Sequence, residues 1–188
     1  DNHFNKAKTI VSISSDFITN WIMPSKFAVD YGSRRKPEND WMSRHYQFES
    51  VLSLTGSNAD YRAQIKPSQE GLLALALLRA LKGQDLGADL GEKTIDLVTK
   101  AAKDLKSNQG ESLVVSGSNN KQTQVLVNAI NQELGNYGNT IDLSTPLNVF
   151  QGDDSRVEKL EKDVIEGKVD ALLIYGSNPV YSLPNGKE

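Results

Sequence analysis

The stretch Glu111–Gly135, ESLVVSGSNNKQTQVLVNAINQELG, decides the fold class. Its opening run Glu111–Val115 is nearly continuous hydrophobe, the pattern of a strand covered on both faces. The run breaks at Ser116-Gly117-Ser118-Asn119 into turn-forming residues. From Lys121 to Leu134 the apolar residues Val125, Leu126, Ala129 and Ile130 recur at helical spacing, and Gly135 stands where a C-cap belongs. This is a strand, a turn and an amphipathic helix in succession.

The same alternation extends in both directions. Lys8–Ile13 (KTIVSI), Glu49–Leu54 (ESVLSL) and Val169–Ile174 (VDALLI) read as further strands. Ser68–Leu81 carries Leu72, Leu73, Ala76, Leu77 and Ala80 on one stripe behind the start signal Pro67-Ser68. Lys93–Leu105 repeats the device with Ile95, Val98, Ala102 and Leu105. Asp154–Ile165 does so with Val157, Leu160, Val164 and Ile165, with Asp153-Asp154 supplying an N-cap and Gly167 a stop. Strands separated by helices of about a dozen residues need crossover connections, and crossovers make parallel sheets. The expectation is an α/β fold: an open, mainly parallel sheet with helices on both faces, a Rossmann-like three-layer sandwich.

A chain of 188 residues, 38% hydrophobic, is long enough to bury its own core, so a single α/β domain over 1–188 is expected. It opens on Asp1-Asn2-His3 and closes in a polar run, and reads as an excised segment of a larger protein. The longest nearly apolar stretch, Gly71–Ala80, is half of the ~20 residues a membrane span requires, so no direct membrane insertion is expected. Without cysteine, disulfides, cysteine-ligated zinc and iron–sulfur ligation are excluded within this stretch. Net charge −3 argues against nucleic acid as the main partner.

Chemistry-bearing motifs are few. Gly-Ser-Asn occurs three times at intervals of about sixty residues: Gly56-Ser57-Asn58, Gly117-Ser118-Asn119 and Gly176-Ser177-Asn178, each behind an expected strand. In a parallel sheet such turns share the carboxyl edge, where open α/β sheets bind ligands. Gly permits close approach of a ligand, and Ser or Asn caps the following helix. The same tripeptide is also ordinary turn chemistry. No GxGxxG, P-loop, GxSxG or HExxH motif is present, so no catalytic residue and no metal ligand is assigned. His3 and His45 read as structural or solvent-facing. The polar stretch Tyr31–Tyr46 reads as a long surface loop pinned by Trp41, or as a docking or anion-contact loop.

The runs Met42-Ser43-Arg44-His45, Phe48-Glu49-Ser50, Ser53–Arg62, Leu113–Asn119, Leu134–Leu143 and Ile174–Pro179 together resemble the molybdopterin-oxidoreductase-like subunit of bacterial alternative complex III, over roughly Lys8 to Pro184. The wider molybdopterin oxidoreductase family binds a guanine-dinucleotide pterin with strand-end loops. By that resemblance the cofactor-binding positions are Gly56, Asn58, Glu70, Gly117, Asn119, Gly176 and Asn178. The family's Gly-x-Asn-Pro loop matches Gly176-Ser177-Asn178-Pro179. Its Pro-Gly-Thr-Asp element lines up with Pro67-Ser68-Gln69-Glu70, three of whose four residues differ. After the first strand, Ser14-Ser15-Asp16-Phe17 stands in place of a second Gly-x-Asn-Pro. The resemblance implies a vestigial site and no cofactor in this segment, in a scaffold for a separate iron–sulfur domain of a quinol-oxidising respiratory complex. Its partners would be that domain and cytochrome c and quinol-binding membrane subunits. It would be exported by a twin-arginine route to the periplasmic side of the inner membrane. The alternative is a functional molybdopterin guanine dinucleotide-binding domain of a molybdenum or tungsten oxidoreductase.

Overall fold

The computed structural model describes residues 1–87, 89–147, 149 and 152–183. They fall into two compact units, Asp1–Val149 and Phe150–Glu188.

The first unit is built on four parallel strands, β1 (Thr9–Ile13), β2 (Arg44–Glu49), β3 (Tyr61–Gln64) and β4 (Ser112–Ser116), in the order β3-β2-β1-β4. Its helices are α1 (Pro24–Ser33), the single turn α2 (Leu54–Ser57), α3 (Glu70–Leu81), α4 (Glu92–Ser107) and α5 (Lys121–Glu133). The chain steps from β1 outward to β2 and β3, then crosses back through α3 and α4 to lay β4 on the far side of β1. The expected α/β fold is therefore present, an open parallel sheet with a topological switch point between β1 and β4.

Two apolar layers flank the sheet. Val11, Ile13, Tyr46, Phe48, Ala63 and Val114 face α3, α4 and α5. Ile10, Leu113 and Val115 face Phe4, Phe17, Phe27 and Tyr31. The stripes of α3 and α4 bury Leu73, Ala76 and Leu77, and Val98, Ala102 and Leu105, in agreement with the periodicity.

Helix α5 is rotated from its expected face. Thr123, Val127, Ile130 and Asn131 turn inward, whereas Val125 is 57% exposed. The reason lies at the free edge of β4. Glu111 O accepts from Lys8 N, just before β1, and Gly117 N donates to Ile13 O, so the polar groups of Ser112, Val114 and Ser116 point away from β1. The Asn131 side chain accepts from Val114 N at 3.1 Å and donates to Val114 O at 2.7 Å, taking the place of a neighbouring peptide group. Thr140 Oγ1 donates to Ser112 O at 2.5 Å and Gln124 Nε2 to Ser116 O at 3.1 Å. A buried backbone edge demands partners, and α5 turns its polar residues toward it to supply them.

The second expected strand is displaced. β2 runs over Arg44–Glu49, and the VLSL that follows it leaves the sheet, with Val51, Leu52 and Leu54 all more than half exposed. The alternation in RHYQFE does not read as a half-buried strand because His45, Gln47 and Glu49 are buried along with Tyr46 and Phe48. β3 and α1 were also unread, although Pro24 at the first turn of α1 and Phe27 and Tyr31 one turn apart were available signals.

In the second unit, α6 (Asp154–Ile165) forms over the expected span, capped by Asp153, whose carboxylate accepts from Ser155 N at 3.1 Å. Its expected inward stripe is not buried: Val157, Leu160, Val164 and Ile165 are all exposed. A further turn, α7, spans Pro179–Ser182. Val169–Ile174 forms no strand, and Leu173 is 93% exposed. An apolar run becomes a strand only where a neighbour completes its hydrogen bonds, which hydrophobic pattern alone does not specify.

Candidate functional site at the carboxyl edge

The switch point is where a ligand would enter a sheet of this order. Three segments meet there: the exit of β1 at Ser14–Asp16, the turn Thr55-Gly56 in α2, and Ser116-Gly117-Ser118 at the end of β4. They are packed against one another. Gly117 N donates to Ile13 O at 2.9 Å, and a Cβ on Gly117 would strike the Ser14 carbonyl. Gly117 is therefore glycine because the chain's own backbone presses on it. Asp16 accepts from Thr55 N at 3.2 Å and from Thr55 Oγ1 at 2.6 Å, and Ile18 N donates to Thr55 Oγ1 at 3.1 Å.

The β1 exit loop is held down by Phe17. Its ring is fully buried, stacked 4.2 Å from Phe4 and edge-on to Tyr31 at 5.5 Å. Ser14 has φ 52°, the left-handed region that favours glycine. The hydroxyls of Ser14 and Ser15 are buried without a hydrogen-bond partner among the described residues.

The remaining predicted positions divide. Gly56 lies at the same edge, but a Cβ there would land on the Glu49 carboxylate, so the glycine makes room for an internal acid. Asn58 is exposed and its amide donates to Leu54 O at 2.8 Å, closing α2. Glu70 is the first residue of α3, where its charge complements the helix N-terminus. Asn119 is exposed, and the cap of α5 is its neighbour Asn120, which accepts from Gln122 N and Thr123 N. Gly176 and Asn178 belong to the second unit. Gly176 has φ 64° with open space around it, and Asn178 precedes α7 without a side-chain cap.

A row of buried polar groups behind this edge escaped sequence reasoning. His45, Gln47 and Glu49 alternate along β2 on the face that carries Ile10 and Ser12 of β1. His45 Nε2 lies 3.1 Å from Gln47 Oε1, and Gln47 Nε2 donates to Glu49 Oε2 at 3.0 Å. Glu49 receives Arg62 Nε at 2.7 Å and Ser53 Oγ at 2.6 Å. Burial pushes the Glu49 carboxyl up, but the bonds from Arg62, Ser53 and Gln47 outweigh it and hold it below its ordinary value. Burial, with a smaller push from the Arg35 charge, holds His45 down to about 4, so the imidazole is neutral at pH 7.

Among the described residues, no group of three or more His, Asp or Glu is placed to hold a metal ion, and no helix is long and apolar enough to cross a membrane. No protein-family model matches the chain, and no curated protein matches it.

The loop between α1 and β2 is shorter than the expected Tyr31–Tyr46, since Tyr31 belongs to α1 and Arg44, His45 and Tyr46 to β2, but Trp41 pins it. Arg34 lies over the Trp41 ring at 4.3 Å and donates to Asn5 O at 2.8 Å. Arg35 grips Asp60 with both terminal nitrogens, at 2.7 and 3.0 Å. Met42 beside them is 52% exposed.

Proposed function

We propose that the chain is a molybdopterin-oxidoreductase-like domain of a respiratory quinol-oxidising electron-transfer complex, acting as a cofactor-free scaffold. Its partners in this reading are a separate iron–sulfur domain and cytochrome c and quinol-binding membrane subunits, on the periplasmic side. The reading rests on the resemblance set out above. The observation that carries its cofactor-free part is the closed switch point.

A dinucleotide pterin needs its pyrophosphate set against open backbone N–H groups at a strand-end turn. Here the Ser14 carbonyl occupies the space over Gly117, and Asp16 is spent on Thr55. Phe17 draws the same loop into the core. The residues at this edge therefore do not fit the cofactor. What the domain contributes in this reading is a rigid sheet. Its neighbours have surfaces to dock on, the apolar Val51, Leu52 and Leu54 at the carboxyl edge and Met42 beside Trp41 at the other.

The test is made on the intact parent protein: pterin fluorescence after acid oxidation, with metal analysis for molybdenum and tungsten. The scaffold reading expects no stoichiometric pterin or metal at this domain. Stoichiometric pterin overturns it and establishes the second reading, a working molybdopterin guanine dinucleotide domain. That second reading is favoured by one observation, the unpartnered buried hydroxyls of Ser14 and Ser15 at the switch point.

A further inference from the structure

His45 is enclosed between two partners whose hydrogen-bonding roles can be counted. Gln47 Nε2 faces two groups that only accept, Glu49 Oε2 at 3.0 Å and Ser15 O at 3.4 Å. Its amide nitrogen must point to them, so Oε1 faces the imidazole and His45 Nε2 carries a hydrogen in every state. On the other side, the Tyr31 hydroxyl has one hydrogen and two acceptors in reach, His45 Nδ1 at 3.3 Å and Asn58 O at 3.0 Å. It serves one at a time.

While His45 is neutral, its Nδ1 lone pair requires the Tyr31 hydrogen, and Asn58 O keeps only Arg35, at 3.3 Å. Once Nδ1 gains a proton it becomes a donor to Tyr31 Oη, and the hydroxyl hydrogen is released to Asn58 O. No atom is left unsatisfied in either arrangement.

We propose that Tyr31 and His45 form a two-position proton switch, in which protonation of His45 Nδ1 turns the Tyr31 hydroxyl onto the Asn58 carbonyl and fastens α1 to the α2–β3 turn. Tyr31 belongs to α1, and Asn58 is the residue that ends α2. The hydroxyl therefore joins α1, β2 and the end of α2 in the protonated state, and only α1 and β2 in the neutral one. The charged groups around the imidazole are balanced. Asp60 and Glu49 favour the cation, Arg35 opposes it, and Arg62 neutralises Glu49 from β3. The Phe17 ring closes the remaining side at 5.3 Å. Tyr31 does not itself ionise in the working range, because burial pushes its hydroxyl up to about 12.

The experiment is an NMR titration of the whole chain, following the His45 ring nitrogens and the Asn58 carbonyl carbon from pH 7.5 downward. At pH 7 Nε2 is expected protonated and Nδ1 bare. On acidification Nδ1 gains its proton, and the Asn58 carbonyl moves with the same midpoint. In Tyr31→Phe the Asn58 carbonyl stops following His45, and the His45 midpoint falls by about half a unit to one unit, because a charged donor loses its acceptor. An Nδ1–H tautomer at pH 7 overturns the switch. So does an Asn58 carbonyl indifferent to the titration, or a wild-type chain that unfolds with His45 still neutral. The wild-type measurement decides the matter even where Tyr31→Phe fails to fold.

Discussion

At Gly117 the side chain is absent because a neighbouring peptide occupies its place. Gly117→Ala would drive Cβ into the Ser14 carbonyl, a backbone atom with nowhere to retreat while Phe17 anchors the loop, and should cost about 1–3 kcal/mol. Urea unfolding midpoints measure this, and a neutral result would mean that the switch point has slack. His45 makes a second prediction. Its folded value is lowered to about 4 against an ordinary 6.5, so between those values the unfolded chain binds more protons than the folded one. Stability is full above pH 6.5 and declines as pH falls toward 4, by about 3 kcal/mol from this group. Glu49 and Asp60, both held below their ordinary values, add to the loss at lower pH. Urea midpoints across pH 7.5 to 4.5 should follow this slope, and His45→Gln should flatten its upper part. None of this could be read from the tripeptide motif. Gly-Ser-Asn marks a turn, and whether a ligand or the chain itself presses on its glycine depends on residues outside the motif, Glu49 at Gly56 and, far off in sequence, Ser14 at Gly117.

Among the elements, the four long amphipathic helices α3 to α6 were legible, α1 was not, and orientations were less legible still. The α3 and α4 stripes follow from 3.6-residue spacing because nothing but apolar burial sets their faces. α5 departs because hydrogen bonding to the β4 edge competes with hydrophobicity, and two buried polar residues, Thr123 and Asn131, outrank Val125. β2 was hidden by the same effect, since buried His45, Gln47 and Glu49 read as a polar face. Replacing Asn131 by Leu tests the edge argument. Val114 would lose both of its side-chain partners in a buried position, and the chain should be destabilised by about 2–4 kcal/mol despite the more apolar substituent. Urea melts at pH 7 give the value; an increase in stability would show that the edge needs no cover.

For the molecule as a whole, the parallel sheet, its crossovers and two of its carboxyl-edge turns were visible in the alternation of short aliphatic runs and amphipathic helices, whereas the expected third turn, at Gly176, follows no strand. What a reading of the chain could not reach was whether that edge is open. The same limit applies to the α1–β2 loop. Its arginines look available for a partner, but Arg34 is stacked on Trp41 and Arg35 is engaged by Asp60, so reversing their charges would disturb the fold itself. Met42 is the better probe. Met42→Glu should leave thermal unfolding within about 1 °C of wild type, the small effect expected of an exposed site. On the proposed scaffold role, with the partners docked on this side, it should also weaken assembly in a pull-down of the intact parent protein.

The position of β1 has a consequence for how the protein is made. It is bracketed by β2 and by β4, a strand that arrives only at Ser112. On the ribosome, the emerging polypeptide passes from residue 49 to residue 112 with its central strand bare along one flank. That interval, rather than the finished domain, is when nascent chains would adhere to each other or recruit holdase chaperones.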